Sequence, residues 1–305
     1  MSGRSAPKTV PEETPLTAPE EAVRARYSAA AQQREEALCC PVRYDAQLLQ
    51  AIPEAVLERD YGCGDPSRYV REDDVVLDLG SGGGKICFIA AQLVGAKGQV
   101  IGIDVNDEML ALAREAAPEV AERIGYANTE FRRAHIQDLG LDLDRLERWL
   151  RVNPVHDLAQ LEALEQEKAR LRREQPLVAS DSVDLVISNC VLNLVRDDHK
   201  KSLIREIHRV LKRGGRIAIS DIVSDRPVPA HLKADPELWS GCVSGAFEEG
   251  ELLRELEEAG FHEIAIAERA TEPFAVVEGI EFRSLTVTAH EGRRADSPRR
   301  DGACC

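Results

Sequence analysis

Three cysteines in distinctive local settings are the residues of this chain best suited to chemistry. Cys63 lies in Tyr-Gly-Cys-Gly, Cys190 in Ser-Asn-Cys-Val and Cys242 in Ser-Gly-Cys-Val. A glycine-rich turn at 80–84 follows the apolar run 75–79 and opens a second apolar segment. Such a turn predicts a nucleotide-like cofactor, and the thiols predict a soft, thiol-seeking substrate. Together they indicate one narrow chemistry.

The cysteines do not indicate a zinc site or a disulfide framework. The eight cysteines, at 39, 40, 63, 87, 190, 242, 304 and 305, include no Cys-x-x-Cys pair and no histidine at zinc-ligand spacing. We expect reduced thiols rather than a disulfide framework, because the chain is long and acidic and shows no export signal. A single cysteine is also often a small buried hydrophobe, and Cys87, between Ile86 and Phe88, is assigned to the core.

Composition limits the class of protein. The chain has 305 residues, of which 43% are hydrophobic, and this is enough for a substantial core. A net charge of −15 disfavours nucleic acid and anionic membrane as partners, because both need a basic face. No apolar run approaches the roughly 20 residues of a membrane-spanning helix. We also expect neither a secretory signal nor a transit peptide in the first 22 residues, and we expect a cytoplasmic location.

From residue 75 onward, short apolar strands alternate with helices. Strands are predicted at 75–79, 100–104, 129–132, 183–187 and 216–220, with helices after the glycine turn, at 109–117 and at 199–211. Strands that are apolar throughout indicate a parallel sheet covered on both faces. The sequence therefore predicts a doubly wound α/β fold, in which later strands at about 261–269 and 281–289 close one edge.

The expected domain runs over residues 23–290, with residues 23–60 read as helical. Residues 1–22 and 291–305 are expected to be disordered. Between the third and fourth strands, residues 139–178 form an insertion that we interpret as two amphipathic helices split at Asn153-Pro154. A solvated insertion or an oligomer contact is favoured for it over a substrate lid.

The sequence of the glycine turn distinguishes among three classes of cofactor. A Walker loop fails because Ile86 follows Lys85, where that motif needs Ser or Thr. A dinucleotide fingerprint is weakened because Lys85 replaces its third glycine. The pattern strand-Asp-x-Gly-x-Gly-Gly-Gly suits S-adenosylmethionine, which has no pyrophosphate to bind.

Residues at the strand ends complete the predicted cofactor site. Asp104 ends the second strand and is expected to accept the ribose hydroxyls, the alternative being an N-cap for the helix that begins at Asn106. Gln137 or Asp138 would border the adenine, with a solvent-facing loop as the alternative. The candidate cofactor residues are Asp78, Gly80, Ser81, Gly82, Asp104, Asn106, Gln137 and Asn189.

Five motifs carry a resemblance to a known family. They are Tyr-Gly-Cys-Gly at 61–64, Asp-Leu-Gly-Ser-Gly-Gly-Gly-Lys at 78–85, Ser-Asn-Cys-Val-Leu-Asn-Leu at 188–194, Val-Leu-Lys-Arg-Gly-Gly at 210–215 and Trp-Ser-Gly-Cys-Val-Ser-Gly-Ala at 239–246. From about residue 23 to 289 the chain resembles arsenite S-adenosylmethionine methyltransferases. The resemblance implies a class I methyltransferase fold with an antiparallel edge strand. It also implies that Cys63, Cys190 and Cys242 bind trivalent arsenic, the third of them within a segment at about 225–250.

This ligand set makes chemical sense, because As(III) is soft and prefers thiolates. Three thiolates in place of three hydroxyls leave the arsenic lone pair as the nucleophile that attacks the sulfonium methyl, so that no general base is needed. Methylation formally oxidises arsenic. The family has an upstream cysteine that pairs with the first arsenic ligand, and Cys39 or Cys40 occupies that region. Glutathione or a thioredoxin-type protein would then reduce the pair.

The expected substrates are arsenite and its thiol conjugates. The chain departs from some relatives at Gly241, where they have an acidic residue, and its tail ends in Cys304-Cys305. The insertion and the Cys-Cys-Pro-Val segment resemble a branch associated with arsenosugar biosynthesis. Two alternatives stay open: a methyltransferase of an organic small molecule with merely buried cysteines, and a non-enzymatic, thiol-based arsenic-binding protein.

Overall fold

Nine strands in the described part of the chain form one mixed sheet. The structure, a computed structural model, describes residues 18–33, 35, 42–59 and 61–292. The strands are β1 (Val75–Leu79), β2 (Gln99–Asp104), β3 (Thr129–Arg133), β4 (Val183–Asn189), β5 (Leu211–Ser224), β6 (Phe247–Glu248), β7 (Phe261–Arg269), β8 (Ala275–Val277) and β9 (Ile280–Glu291).

The order of the strands is β3-β2-β1-β4-β5-β9-β7, with β6 beside β5 and β8 beside β9. Strands β1 to β5 are parallel, whereas β9 runs antiparallel to both β5 and β7. The sequence order reverses on either side of β1, which is a topological switch point of the kind where α/β proteins bind ligands. The predicted fold class, a mainly parallel sheet with an antiparallel edge, is confirmed.

The helices cover both faces of the sheet. They are α1 (Ala18–Gln32), α2 (Ala46–Leu49), α3 (Glu54–Leu57), α4 (Lys85–Val94), α5 (Asp107–Ile124), α6 (Leu143–Val152), α7 (Leu158–Glu174), α8 (Asp197–Val210), α9 (Ala230–Lys233), α10 (Pro236–Ser240) and α11 (Glu249–Glu258), with short 3-10 helices at Pro66–Tyr69 and Leu192–Leu194. Val76 of β1 packs in the cluster that includes α4 and α5. Its neighbour Leu77 packs in the cluster that includes α8 and α11. Alternate residues of one strand therefore enter different cores.

Some predicted boundaries were wrong. Helix α5 continues past Pro118 to Ile124, because its apolar face extends through the buried Val120. Strand β5 begins at Leu211, so that Gly214-Gly215, predicted to precede the strand, lies inside it next to a shift in register. Helix α1 begins at Ala18, within the segment expected to be disordered, and the residues of 33–59 that are described contain only the short helices α2 and α3.

The two helices predicted in the insertion are present as α6 and α7. The side chain of Asp142 accepts a hydrogen bond from the Arg145 N–H and begins α6. Asp157 does the same for Gln160 in α7. These aspartates are N-caps, which explains why the helices begin where they do.

Several predictions fall on residues that are not described. They concern disorder in 1–17 and 293–305 and the cysteines 39, 40, 304 and 305. Within the ranges that are described, no helix is both long and apolar enough to cross a membrane. A cytoplasmic location stays a prediction.

Candidate active site

A cavity of about 580 Å³ lies at the carboxyl ends of β1, β2 and β4. This is the switch point where the sheet order reverses, and its volume lies in the range of small-molecule sites. All of the predicted cofactor residues line the cavity: Asp78, Gly80, Ser81, Gly82, Asp104, Asn106, Gln137 and Asn189.

The glycine turn packs against the end of β2. The backbone N–H groups of Gly80 and Ser81 donate to the Ile103 carbonyl at 2.8 and 2.9 Å. Gly82 has a φ of 51°, in the left-handed region, and a Cβ added there would meet nothing within 4 Å. One side of the turn is therefore fixed by β2, and the other is open to the cavity.

Asp104 fastens this turn to the strand end. Its Oδ2 accepts the Gly82 N–H at 2.9 Å, and its Oδ1 accepts the Asn106 N–H at 2.8 Å. Burial raises the pKa of Asp104, and the backbone hydrogen bonds oppose that shift. The N-cap of α5 is Asn106, whose side chain accepts the Met109 N–H. The alternative of Asp104 as the N-cap is therefore wrong.

The cavity walls fit a nucleoside-containing cofactor. The Ser81 hydroxyl is buried without a hydrogen-bond partner in the described part of the chain, so that it is available to a ligand. The Asp104 carboxylate lines the same cavity. Buried Asp78 also lines the cavity, and its Oδ2 accepts a hydrogen bond from the Cys87 Sγ at 3.1 Å. Cys87 lies in the core as predicted, and burial and Asp78 raise the pKa of its thiol well above the usual value.

The two residues predicted near the adenine separate in the structure. Gln137 lines the cavity. Asp138 does not; it forms an ion pair at 2.8 Å with Arg172 of α7. Of the two, Gln137 is therefore the residue that can contact a bound cofactor.

Helix α6 of the insertion forms a wall of the same cavity. Leu143, Leu146 and Leu150 line it. Arg133 at the end of β3 pairs with Asp144 at 2.9 Å and with Glu147, which fixes α6 to the sheet. The expectation of a merely solvated insertion is therefore wrong for α6, whereas an oligomer contact stays a prediction. The physical reason is that β3 ends at the cavity, so that the chain leaving it passes over the site.

Helix α7 behaves differently. Its Leu158 is 70% exposed and its Leu161 is 45% exposed. Leu171 at the other end is fully buried against Leu141 and Leu146. The helix supports α6 from outside and leaves its first turns to solvent.

The three cysteines predicted to bind arsenic lie in one buried apolar cluster, together with Ile222 and Phe282. Cys63 and Cys190 are joined by a disulfide, with their Cα atoms 5.8 Å apart. The expectation of reduced thiols is therefore wrong for this pair, because the fold brings the two residues within bonding distance.

The structure also bears on the predicted redox partner of Cys63. In this state Cys63 is bonded to Cys190 and not to Cys39 or Cys40. Those two residues lie outside the described ranges, so that their contacts are not defined.

Cys242 is a buried thiol beside the disulfide. Its Sγ donates to the Cys190 carbonyl oxygen at 3.2 Å and lies 3.7 Å from the Tyr27 hydroxyl. Cys190 and Cys242 have φ values of 58° and 60°, in the left-handed region that non-glycine residues rarely adopt. Such strain costs about 1–3 kcal/mol per residue and collects at functional sites.

The Asn189 amide positions the Cys63 segment, a role that the sequence did not indicate. Its Oδ1 accepts the N–H groups of Cys63 and Gly64 at 2.9 and 3.1 Å. Its Nδ2 donates to the Gly64 carbonyl at 2.9 Å. A Cβ added at Gly62 would lie 2.2 Å from that Nδ2, so that close packing explains this glycine.

Two further polar side chains position the Cys242 segment. The buried Asn193 Nδ2 donates to the carbonyls of Ile222 and Cys242 at 2.6 and 3.2 Å. The buried Lys200 Nζ donates to the Gly245 carbonyl at 2.7 Å. Sequence reasoning missed both, although Asn193 lies inside one of the quoted motifs. A lysine in an otherwise apolar helix face was the available signal for Lys200.

Asp221 is a third residue that sequence reasoning missed. It is buried in β5, and its carboxylate accepts the N–H groups of Leu192 and Ile222 at 2.8 Å each. One of its oxygens and the sulfurs of Cys63 and Cys190 all lie within 4.8 Å of one another. Burial raises the pKa of Asp221 to about 7. An acidic residue inside an apolar strand was the signal.

Helix α1 bridges the cavity and the cysteines. Ser28 accepts a hydrogen bond from the Asn106 side chain at 3.0 Å. Arg26, two residues away, donates to the Ser240 hydroxyl at 3.2 Å, and Tyr27 lies between them beside Cys242. Helix α1 therefore contacts both the cavity lining, through Asn106, and the cysteine cluster, through Cys242.

Comparisons with known proteins agree with this geometry. The curated arsenite methyltransferase of Aquipseudomonas alcaligenes is 37% identical over 199 residues, covering 65% of this chain and 47% of the relative. That of Halobacterium salinarum is 36% identical over 227 residues, covering 73% and 46%. The chain thus spans about half the length of the curated relatives it matches. The resemblance predicted from the motifs is confirmed.

A solved structure and a family model extend the comparison. The crystal structure of an arsenic(III) S-adenosylmethionine methyltransferase from Chlamydomonas reinhardtii superposes with a TM-score of 0.63 at 29% identity, covering 83% of this chain and 75% of that one. The family model described as a methyltransferase domain matches residues 71–173 and 156–260, more than half of the sequence. The chain belongs to this methyltransferase domain family.

Proposed function

We propose that the protein methylates trivalent arsenic, as arsenite or its thiol conjugates, with S-adenosylmethionine as the methyl donor. The observation that carries this proposal is the position of the three cysteines. They lie in one buried apolar cluster, and Cys190, directly after β4, also lines the predicted cofactor cavity. The similarity to arsenite methyltransferases over most of the chain supports the same substrate.

Residues at the carboxyl ends of the strands would hold the cofactor. Asp104 would accept the ribose hydroxyls, and the open face of Gly82 and the Ser81 hydroxyl would contact the amino-acid portion. Gln137 and α6 would enclose the base. When bound, S-adenosylmethionine supplies an electrophilic methyl group on a positively charged sulfur. The protein's contribution is to place this end of the cavity against the cysteine cluster.

The reduced thiolates of Cys63, Cys190 and Cys242 would bind arsenic, whose softness favours sulfur over oxygen. Three sulfur ligands leave the arsenic lone pair as the nucleophile for the methyl group. The strained conformations of Cys190 and Cys242 support a functional requirement for these sulfur positions. The apolar surroundings favour a poorly hydrated metalloid over hydrated cations.

The disulfide adds a requirement for reduction. Cys63 and Cys190 cannot both bind arsenic while they are bonded to each other, so that a thiol reductant must act first. Methylation is a formal two-electron oxidation of arsenic, and the same class of reductant would return it to the trivalent state. We propose a glutathione-type or thioredoxin-type thiol as this co-substrate, with Cys39 or Cys40 as a further partner of Cys63.

The test is product analysis with purified protein. Reduced protein is incubated with S-adenosylmethionine, arsenite and thiol, and the arsenic species are separated and quantified by mass spectrometry. We expect methylated arsenic, with loss of at least about a hundredfold in Cys63→Ser, Cys190→Ser and Cys242→Ser, since the acceptor geometry needs all three sulfurs. A variant with Cys304→Ser and Cys305→Ser is the matched thiol control.

The outcomes separate the alternatives. Cofactor binding without methylated arsenic would rule out arsenite as the substrate and favour an organic acceptor. Arsenic binding that does not depend on the cofactor, with no methylated product, would favour a scavenging protein.

A further inference from the structure

A second cavity, of about 430 Å³, reaches the disulfide from the Cys63 side. It lies between the segment around Gly64, strand β5 and the turn that joins β7 to β8, and Cys63 lines it. The cofactor cavity is lined instead by Gly62 and Cys190. The two cavities share no lining residue, and each is lined by one half of the same disulfide.

The second cavity carries charges of both signs. Arg68 is paired within it, to Asp65 at 3.2 Å and to Glu268 at 2.6 Å. Arg43 and Glu272 also line it, and neither forms an ion pair or side-chain hydrogen bond with another described residue. One cationic and one anionic side chain are therefore available to a ligand, which suits a molecule that bears both a carboxylate and an ammonium group.

The low exposure of the disulfide limits the size of a ligand that can reach its sulfur atoms. Cys63 is 7% exposed and Cys190 is 6% exposed. A redox thiol on the surface of another folded protein would have to enter the concave space to reach either sulfur. A small molecule needs only to fill it.

We propose that this second cavity binds a small zwitterionic thiol, which reduces the Cys63–Cys190 disulfide from the side opposite the cofactor. The inference rests on the proposed function, in which both cysteines must be reduced to bind arsenic. It names the class of reductant and the place where it acts.

The reaction balances with two equivalents of this thiol. The first, as thiolate, attacks the Cys63 Sγ, forms a mixed disulfide and displaces the Cys190 thiolate, which takes up the proton released by the reductant. The second attacks the small-molecule sulfur of the mixed disulfide and displaces the Cys63 thiolate. Two electrons pass to the protein disulfide, and the two small thiols leave as their own disulfide. The cofactor cavity is not needed in either step.

The experiment follows reduction of the oxidised full-length protein by quenched alkylation and mass spectrometry. The probes are reduced glutathione, which has two carboxylates and one ammonium, and uncharged dithiothreitol. We expect the rate to saturate with glutathione and to rise linearly with dithiothreitol. Arg43→Glu should slow the glutathione reaction about tenfold at low concentration, the loss expected for one charge-assisted contact, and leave the dithiothreitol reaction unchanged. Arg205→Glu, at an exposed position on α8, is the matched charge-reversal control.

Saturating S-adenosylmethionine should not slow the glutathione reaction. The proposal would be overturned by a linear glutathione dependence, by equal slowing of both probes in Arg43→Glu, or by inhibition by the cofactor. None of these measurements requires arsenic methylation. A protein that meets all three expectations but forms no methylated arsenic would contradict the proposed function alone.

Discussion

The side-chain amide of Asn189 binds the backbone on both sides of the Cys63 carbonyl carbon, through the N–H groups of Cys63 and Gly64. Asn189 is also the chain neighbour of Cys190, to which Cys63 is bonded. The last residue of β4 therefore determines the position of two cysteines, one through the chain and one through hydrogen bonds. The distance between the two cysteines is therefore set by a strand of the sheet, which is a rigid element of the fold.

Asn189→Ala should loosen the Cys63 segment. Two partly buried N–H groups lose their acceptor, which costs about 1–3 kcal/mol for each group left unsatisfied. We expect arsenite to bind the reduced variant at least about tenfold more weakly, as measured by titration calorimetry. Asn189→Asp keeps the acceptor and should retain more affinity than the alanine variant. Unchanged arsenite affinity in Asn189→Ala would contradict this role.

Gly62→Ala tests the same contact from the other side. The added Cβ would lie 2.2 Å from the Asn189 Nδ2 and 2.7 Å from its Cγ. Overpacking of this kind costs about 1–3 kcal/mol of unfolding free energy, measured by denaturant titration. In the Asn189→Ala background the clashing atoms are absent, so that the cost of Gly62→Ala should fall below about 1 kcal/mol. Equal costs in both backgrounds would refute the packing explanation.

Asp221 should make stability depend on pH. Its folded-state pKa of about 7 lies above the usual aspartate value, so that the folded protein binds this proton more tightly than the unfolded chain does. The contribution of this protonated carboxyl to the free energy of unfolding is fully present below about pH 4. It is lost as the pH rises toward 7, and the total loss is on the order of 4 kcal/mol. Burial raises this pKa, while hydrogen bonds from the backbone N–H groups of Ile222 and Leu192 and, to a smaller extent, the charge of Lys200 oppose the shift.

The measurement compares the oxidised protein with Asp221→Asn by denaturant unfolding between pH 4 and 8. Other groups titrate in both proteins, and their contributions cancel in the difference. We expect the wild type to lose stability relative to Asp221→Asn as the pH rises. A difference that stays constant with pH would show that Asp221 is not protonated near neutrality.

The cavity wall formed by α6 predicts a contrast between two leucines of the insertion. Leu146 is 7% exposed, lines the cofactor cavity and packs on Leu171, whereas Leu158 on α7 is 70% exposed. Leu146→Ala should cost about 2–4 kcal/mol of stability and weaken S-adenosylmethionine binding several-fold. Leu158→Ala should change neither quantity. Cofactor affinity is measured by calorimetry. Equal affinity in the two variants would argue against α6 as part of the site.

Local patterns in the sequence were sufficient for the cofactor half of the site. The apolar run of β1, the glycine turn and Asp104 at the end of β2 lie within about thirty residues, and each follows from strand and turn chemistry. All of the candidate cofactor residues accordingly line one cavity. The position of Asp104 in the cavity lining was predictable because parallel strands place their carboxyl ends together.

The cysteine half depended on contacts between distant residues. Asn189 and Cys63 are separated by 126 positions, and Lys200 and Gly245 by 45. No local period predicts such pairs. Composition suggested reduced thiols, but whether Cys63 and Cys190 can bond is decided by the distance between β4 and the segment before β1. The wall formed by α6 was missed for the same reason, since its amphipathic pattern does not reveal which surface covers its apolar face.

We propose above all that three cysteines of this chain hold one arsenic atom beside the predicted cofactor cavity. The most direct test is X-ray absorption spectroscopy at the arsenic edge on reduced protein loaded with one equivalent of arsenite. We predict a first shell of three sulfur atoms and no oxygen, with one sulfur lost in each of Cys63→Ser, Cys190→Ser and Cys242→Ser. A shell that contains oxygen in the unaltered protein, or a sulfur count that these substitutions leave unchanged, would contradict the account.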